Sequence, residues 1–269
     1  MFKSQWITVI SILAVLGSSA PASAQSGPKT IEMSVVTDWQ TVQQLGSVEA
    51  THTFIEETVA TTAKIFREQL GVELVLTWAD IPSSPEEDRI AAHENAQFLL
   101  DNLKNFKVND QGHRYSDVTT LFTTRKLSLG SRQLVGFAAA KAVCSASSSA
   151  IVRVKQDGLE YQTLAHEIGH TLGASHDGDP PCESEQKVGW LMGEALYPSD
   201  HFSQCSVDMI KQAMENYGDC FDAPISSPTQ PPAVESAPSG GGGACDIAFV
   251  LGMLGVVALQ ARSRKRRTR

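Results

Sequence analysis

The segment from His166 to His176 constrains the fold of this chain more than any other feature. It reads HEIGHTLGASH, with histidines at 166, 170 and 176 and a glutamate at 167. Residues four apart share one face of a helix, so His166 and His170 can direct both imidazoles at one ion. Gly173 permits a left-handed turn just past the helix, which would bring His176 back as a third nitrogen ligand. The segment therefore predicts a helix, a sharp turn and a three-histidine metal centre.

The number of ligands indicates what this metal centre does. Three protein nitrogens leave a fourth zinc position open for water, which is typical of catalytic rather than structural zinc. Zinc makes its bound water acidic near neutral pH, and the carboxylate of Glu167 lies where it can act as the general base. A bare HExxH occurs by chance in many helices, whereas the added glycine and third histidine favour a zinc site. We therefore predict hydrolysis by metal-activated water.

The rest of the body alternates between strand and helix patterns. Alternating β-branched or apolar runs predict strands at 30–37, 72–78, 134–140 and 150–154. Apolar residues at helical spacing, with a proline or glycine at one end, predict helices at 48–70, 85–106 and 158–172. Residues 117–124 fit neither pattern clearly. The order indicates an α/β domain, a mixed sheet with helices packed on it, over residues 25–223.

Both ends of the chain look like targeting segments. Residues 1–24 combine Lys3, a short apolar run and a closing Ala-Ser-Ala, which is typical of a cleaved secretory signal. A retained anchor is the alternative, but the run is too short to span a bilayer. Residues 224–244 have the Pro, Ser and Gly content of an extended linker. Residues 245–269 join an apolar stretch to an arginine-rich end, which resembles bacterial GlyGly and myxobacterial C-terminal sorting signals; a permanent membrane anchor is the alternative.

Charge and cysteine content agree with an exported protein. The formal net charge is −8 although the last residues are strongly basic, so the body is acidic and a nucleic-acid partner is not expected. Four cysteines in the body suit disulfides in an oxidising compartment, and they allow three pairings. Cys245 belongs to the tail. We expect a monomer at the cell surface or in the medium, with its C-terminal segment at least transiently in a membrane.

The histidine motif is that of the metzincin zinc endopeptidases, whose signature includes a methionine turn downstream. Met192, sixteen residues after His176, is the candidate, with an ordinary core methionine as the alternative. Asp177, directly after the third histidine, is similar to the adamalysin or reprolysin (ADAM-type) branch. Segments 31–38, 116–124, 134–144 and 202–206 also resemble that branch, so the likeness covers most of residues 30–223.

The resemblance implies a metzincin catalytic domain: a twisted mixed sheet with one antiparallel edge strand, an active-site helix and a Met-turn. It implies disulfides Cys144–Cys220 and Cys182–Cys205. It also implies that an edge strand containing Gly136, Phe137 and Ala138 receives a peptide substrate by main-chain hydrogen bonds. Calcium is a further candidate cofactor through Glu32 and Asp117, although Ala223 stands where the branch has Asn.

Two classes of function fit these features. The first is an exported zinc endopeptidase that acts on proteins or peptides, with Glu167 as general base. The second is a catalytically silent, surface-displayed binding protein that retains the metalloprotease fold. The presence of the base and of all three ligands favours the enzyme. The other histidines, His52, His93, His113 and His201, are interpreted as surface or loop residues.

Overall fold

A computed structural model describes residues 29–195 and 198–221, and its core is a mixed five-stranded sheet. The strands lie in the order β2-β1-β3-β7-β6. Neighbouring strands are parallel except β6, which runs antiparallel to β7 at the edge. Strands β4 and β5 form a separate antiparallel pair. The bounds are β1 Lys29–Thr37, β2 Val72–Asp80, β3 Val118–Thr123, β4 Leu127–Leu129, β5 Arg132–Leu134, β6 Gly136–Ala138 and β7 Ser149–Arg153.

Within the described residues, five helices accompany the sheet, and most of their ends carry recognisable caps. Ser47 caps the start of α2 through its hydroxyl, and Gly71 ends it in the left-handed conformation. Asn95 and Ser203 accept N-terminal backbone N–H groups of α3 and α5 in the same way. The bounds are α1 Trp39–Leu45, α2 Val48–Leu70, α3 Ala96–Asn109, α4 Glu160–Thr171 and α5 Gln204–Asn216.

The helices cover both faces of the sheet and give three layers. Successive residues of a strand point to opposite faces, so Val152 and Ile151 of β7 enter different cores. Val152 packs in the cluster that includes Phe66 of α2 and Ile168 of α4. Ile151 packs in the cluster that includes Leu103 of α3. The predicted α/β class, with its mixed sheet and single antiparallel edge strand, is confirmed, and α4 contacts both β7 and β6 at that edge.

The predicted helix at 85–106 is wrong in its first half. The acidic residues that looked like a helix start bind the backbone elsewhere: Glu87 accepts hydrogen bonds from the Ser83 amide and hydroxyl, and Asp88 accepts one from the Trp39 amide. Only a short 3₁₀ turn, Pro85–Glu87, forms there, and α3 begins at the Asn95 cap. These side chains fold the loop back against its own residues and against α1.

Other predicted boundaries change because of tertiary pairing. The single strand predicted at 134–140 divides at Val135, where the chain leaves β4 and turns to pair with β7. Segment 117–124, for which neither a strand nor a helix was predicted, contains the buried central strand β3. Helices α1 and α5 had no predicted counterpart. His113, interpreted as a surface or loop residue, does lie in a loop but is fully buried against the ring of Phe106, 4.8 Å between centroids.

Two disulfides join the elements around the sheet, as predicted. Cys144 is linked to Cys220 and Cys182 to Cys205. In the part of the chain that the structure describes, no helix is long and apolar enough to cross a membrane. The predicted signal segment 1–24, the linker 224–244 and the tail 245–269 all lie outside the described residues, so these assignments stay predictions.

Candidate metal centre and substrate cleft

Helix α4 places two of the three histidines at the sheet edge with fixed ring orientations. Nδ1 of His166 donates to the Leu191 carbonyl at 2.6 Å, and Nδ1 of His170 donates to the Ala174 carbonyl at 2.9 Å. A histidine that donates through Nδ1 keeps the Nε2 lone pair for a metal. Both rings are therefore held in the tautomer that a ligand needs.

His176 completes the constellation from the loop beyond α4. Gly173 has φ 100°, the left-handed turn that the motif predicted, and the chain doubles back after it. Nε2 of His170 and Nε2 of His176 are 3.1 Å apart, and one nitrogen from each of the three rings lies within 4.8 Å of the others. Two nitrogens about 2.0–2.1 Å from a tetrahedral zinc would be about 3.3 Å apart, so the three rings fit the ion.

Burial keeps His166 and His170 neutral. Removal from water lowers the pKa of His166 to about 3 and that of His170 to about 4, with a smaller contribution from the neighbouring imidazoles. A metal binds the neutral imidazole and competes with protons for it. Because Nε2 of His166 and of His170 carries no proton at neutral pH, zinc binding displaces none from these two rings.

Glu167 faces the cleft from the same helix and touches the edge strand. Its carboxylate is buried, which raises its pKa to about 8. A Cβ atom on Gly136 would lie 2.8 Å from Cγ and Cδ of Glu167, and closer still to Oε1. Only a glycine at the start of β6 leaves room for this carboxylate in its present position.

Met192 lies beneath α4 in a tight turn. The Gly193 amide donates to the Trp190 carbonyl at 3.1 Å, and Met192 is fully buried. A Cβ atom on Gly169 would lie 2.6 Å from Sδ of Met192, so the absence of a side chain on Gly169 lets the turn approach the helix. The preceding carbonyl, of Leu191, is the one that orients His166. The turn thus supports a metal ligand directly.

Asp177 connects the third histidine to the rest of the domain. Its amide donates to the Met192 carbonyl at 2.9 Å, and its Oδ1 accepts from the hydroxyls of Ser203 at 2.5 Å and Ser206 at 3.0 Å. Burial raises the pKa of Asp177, and the two serine hydrogen bonds oppose that effect. The network holds the loop after His176 against the start of α5.

A cavity of about 520 Å³ opens over the histidines and Glu167. The predicted substrate residues Gly136, Phe137 and Ala138 form β6 along its wall. Strand β6 is the last in the sheet, and no strand of the described chain pairs with its outer edge. The backbone groups on that edge are therefore available to an added strand.

The two candidate calcium residues lie side by side, Glu32 in β1 and Asp117 directly before β3. The Glu32 amide donates to Oδ2 of Asp117 at 2.8 Å, and the Asp117 amide donates to the Glu32 carbonyl at 2.7 Å. Burial raises the pKa of Asp117 to about 6. Ala223, the third position considered, is outside the described residues, and calcium binding stays a prediction.

Sequence reasoning found the metal ligands but missed the residues that support them. Gly169 and the two serines that bind Asp177 had no assigned role, and Gly136 was predicted only as part of the substrate strand. The spacing of Ser203 and Ser206 is a helix-cap signal, which could have located the start of α5. The two glycines contact Glu167 and Met192, which are distant from them in sequence. Such contacts can be identified only once the fold is known.

Comparison with known proteins gives a consistent result. The chain matches the Reprolysin (M12B) family zinc metalloprotease model over residues 29–224. It is 31% identical over 203 residues to disintegrin and metalloproteinase domain-containing protein 1a of Mus musculus, covering 73% of this chain and 24% of that protein. It is 27% identical over 121 residues to "A disintegrin and metalloproteinase with thrombospondin motifs 2" of Homo sapiens. That match covers 44% of this chain and 10% of that protein.

A solved structure titled "Structure of a chaperone-substrate complex" shares the fold. Its TM-score is 0.54 at 16% identity, over 72% of this chain and 35% of that chain. The likeness at this identity concerns the fold alone. The chain spans about a quarter or less of the length of the two curated relatives named above.

Proposed function

This chain belongs to the reprolysin (M12B) family of zinc metalloproteases, and on that premise we propose that it is an endopeptidase that hydrolyses peptide bonds within proteins. The observation that carries the proposal is the convergence of three imidazoles beside a buried carboxylate, at the open edge of a sheet. His166, His170 and His176 would hold the zinc, which would supply a Lewis acid for the scissile carbonyl and a more acidic water.

Glu167 is the proposed general base. It accepts a proton from the attacking water and passes it to the departing amine. Glu167 must be ionised to accept that proton, and its burial, which raises the pKa of its carboxyl to about 8, favours keeping the proton until the amine departs. Gly136 keeps the carboxylate in the cleft by leaving it space.

The edge strand β6 is proposed to orient the substrate. An extended peptide that adds to its outer edge would run through the cavity over the histidines. Main-chain pairing is independent of side-chain identity, so it aligns the scissile bond while selectivity comes from the cavity walls. This arrangement suits an enzyme that cuts within a chain.

Chelation and one substitution test the proposal. The purified full-length protein should cleave casein, lose activity with 1,10-phenanthroline and recover it on addition of zinc. Glu167→Ala should retain stoichiometric zinc while activity drops by about 10²–10⁴-fold, the scale of general-base loss. Glu57→Ala, on the exposed side of α2, is the matched control. Zinc binding without any cleavage by the unmodified protein would instead fit a silent binding protein.

We also propose that the protein acts outside the cytoplasm. Two disulfides support this, since such bonds persist in oxidising compartments. Removal of residues 1–24 and processing near Cys245 are part of the proposal. Intact-mass measurement of protein from the native cell would test both, and a chain ending at Arg269 would contradict the sorting signal.

A further inference from the structure

The cavity over the histidines extends beyond the catalytic groups toward the end of β7. Besides His166 and Glu167, it is lined by Thr163 and by Glu160, which lie about one and two turns earlier in α4. It is also lined by Arg153, the last residue of β7. The Arg153 amide donates to the Val135 carbonyl at 2.8 Å, which places its backbone directly behind the start of the substrate strand. A peptide lying over the metal centre would therefore share a cavity with this arginine.

Arg153 differs from the other cations of the cavity in having no partner. Lys155 is paired with Asp157, and Arg132 lies 3.6 Å from Glu194. The guanidinium of Arg153, by contrast, makes no hydrogen bond or ion pair with any described residue, and its Nε is buried. A buried N–H group without a partner is costly and calls for an explanation.

Two acids that line the same cavity, Glu160 and Asp157, bind other groups. Oε1 of Glu160 accepts the backbone amides of Lys155 and Gln156 at 2.8 and 2.6 Å. Asp157 accepts the Leu159 amide at 3.1 Å in addition to its pairing with Lys155. Arg153 thus lines a partly enclosed space without an ion-pair partner among the described residues, and its guanidinium remains available to a carboxylate from outside the chain.

We propose that Arg153 is a specificity-determining residue whose guanidinium binds the side-chain carboxylate of an aspartate or glutamate beside the scissile bond. A guanidinium can bind a carboxylate through two parallel hydrogen bonds, which gives both orientation and charge selection. The substrate class is therefore proteins with an acidic residue at the cleavage site. This inference rests on the proposed function for its biological meaning, but binding of an acidic peptide in the cavity does not require hydrolysis.

The test uses synthetic octapeptides made as twins, each with glutamate or glutamine at one position. With the full-length protein, we measure the cleavage rate of each twin and take the ratio of the glutamate to the glutamine peptide. With zinc-loaded Glu167→Ala protein, we measure how much of each twin the protein retains and take the same ratio. Hydrogen bonds to charged groups predict a glutamate preference of roughly 10- to 100-fold in both assays. Arg153→Gln should reduce the ratio to about 1, Arg153→Lys should leave an intermediate value, and Arg153→Glu should reverse the preference in favour of the glutamine peptide.

Arg114→Gln is the matched control, because it removes the same charge from an exposed site outside the cavity, and it should leave the ratio unchanged. Zinc content and thermal unfolding of each variant monitor folding, and the lysine variant keeps the test decisive if the glutamine variant does not fold. A twin ratio of about 1 in protein that retains Arg153, or an unchanged ratio in Arg153→Gln, overturns the proposal. Selective retention without any cleavage supports it while contradicting the endopeptidase function.

Discussion

Among single residues, Gly136 and Glu167 show how closely the proposed base depends on its neighbours. The two residues come from the edge strand and the active-site helix, and the space between them is too small for a methyl group. The position of the carboxylate is thus determined by a residue with no side chain. We therefore expect a side chain at Gly136 to alter the position of the Glu167 carboxylate rather than the stability of β6.

Gly136→Ala should therefore reduce activity without removing zinc. The added Cβ would displace the Glu167 carboxylate, and a displacement of about 1 Å can cost on the order of 10²-fold in rate. Peptidase assays with metal analysis would measure both quantities. Gly218→Ala is the control, since a Cβ there meets no atom within 4 Å. Full activity in Gly136→Ala would show that the base does not need this position.

The sequence predicted those site residues whose relation is local. His166, Glu167 and His170 belong to one helix. His176 follows from the left-handed turn that Gly173 permits just after that helix. The contact of Gly136 with Glu167 joins residues from separate elements, and no local pattern announces it. His113 illustrates the same limit, because its burial depends on packing against α3 that a lone histidine in a polar loop does not predict.

At the scale of elements, the sequence predicts helix bounds correctly where the capping residues act on their own helix. Helix α2 has the predicted bounds because Ser47 and Gly71 both cap it directly. The start of α3 was misplaced because Glu87 and Asp88 bind amides of the loop and of α1 instead of a helix terminus. Acidic residues of this kind can either start a helix or bind amides of other segments. Which of the two occurs depends on tertiary contacts.

The contact between α4 and the Met-turn is an element-scale feature that can be measured. Gly169→Ala would favour the helix by about 1 kcal/mol, but its Cβ would overlap Sδ of buried Met192, and overpacking costs about 1–3 kcal/mol. We expect a net loss of about 1 kcal/mol in the free energy of unfolding. Chemical denaturation of the single and double variants would measure it.

A double-mutant cycle separates this contact from general core damage. Met192→Ala alone should cost about 2–5 kcal/mol, and combined with Gly169→Ala it should cost about 2 kcal/mol less than the sum, because space becomes available for the new methyl. The same cycle with Met214→Ala, a buried methionine of α5, should show additivity. Additivity in both cycles would contradict direct packing of Met192 on Gly169.

For the whole molecule, the disulfides close loops of different lengths. Cys144 and Cys220 are 76 residues apart, whereas Cys182 and Cys205 are 23 apart. In the chain-entropy model these bonds contribute roughly 4 and 3 kcal/mol. Replacing Cys144 and Cys220 together by alanine should cost more stability than replacing the other pair, as thermal unfolding would measure. Cys245→Ala, which lies outside the described residues, is the control and should leave the unfolding midpoint unchanged.

The stability of the whole domain should also depend on pH through buried groups far from the metal centre. Burial lowers the pKa of His113 from 6.5 to about 4, with Asp110 opposing and Arg89 and Lys107 adding to the shift. Between those values the unfolded chain binds a proton that the folded chain does not, so stability falls as the pH is lowered. Asp117, with its pKa raised from 3.8 to about 6, acts in the opposite direction between these two values.

Comparison with His113→Phe isolates the histidine. Phenylalanine is of similar shape, and it removes both ring nitrogens, which have no hydrogen-bond partner among the described residues. Between pH 7 and 4.5 the unmodified protein should lose on the order of 1–2 kcal/mol more unfolding free energy than the variant. The contributions of Asp117 and of the metal-binding histidines are common to both proteins and cancel in the difference. Urea denaturation at several pH values would measure it, and parallel pH profiles for the two proteins would mean that His113 becomes protonated as readily in the folded domain as in the unfolded chain.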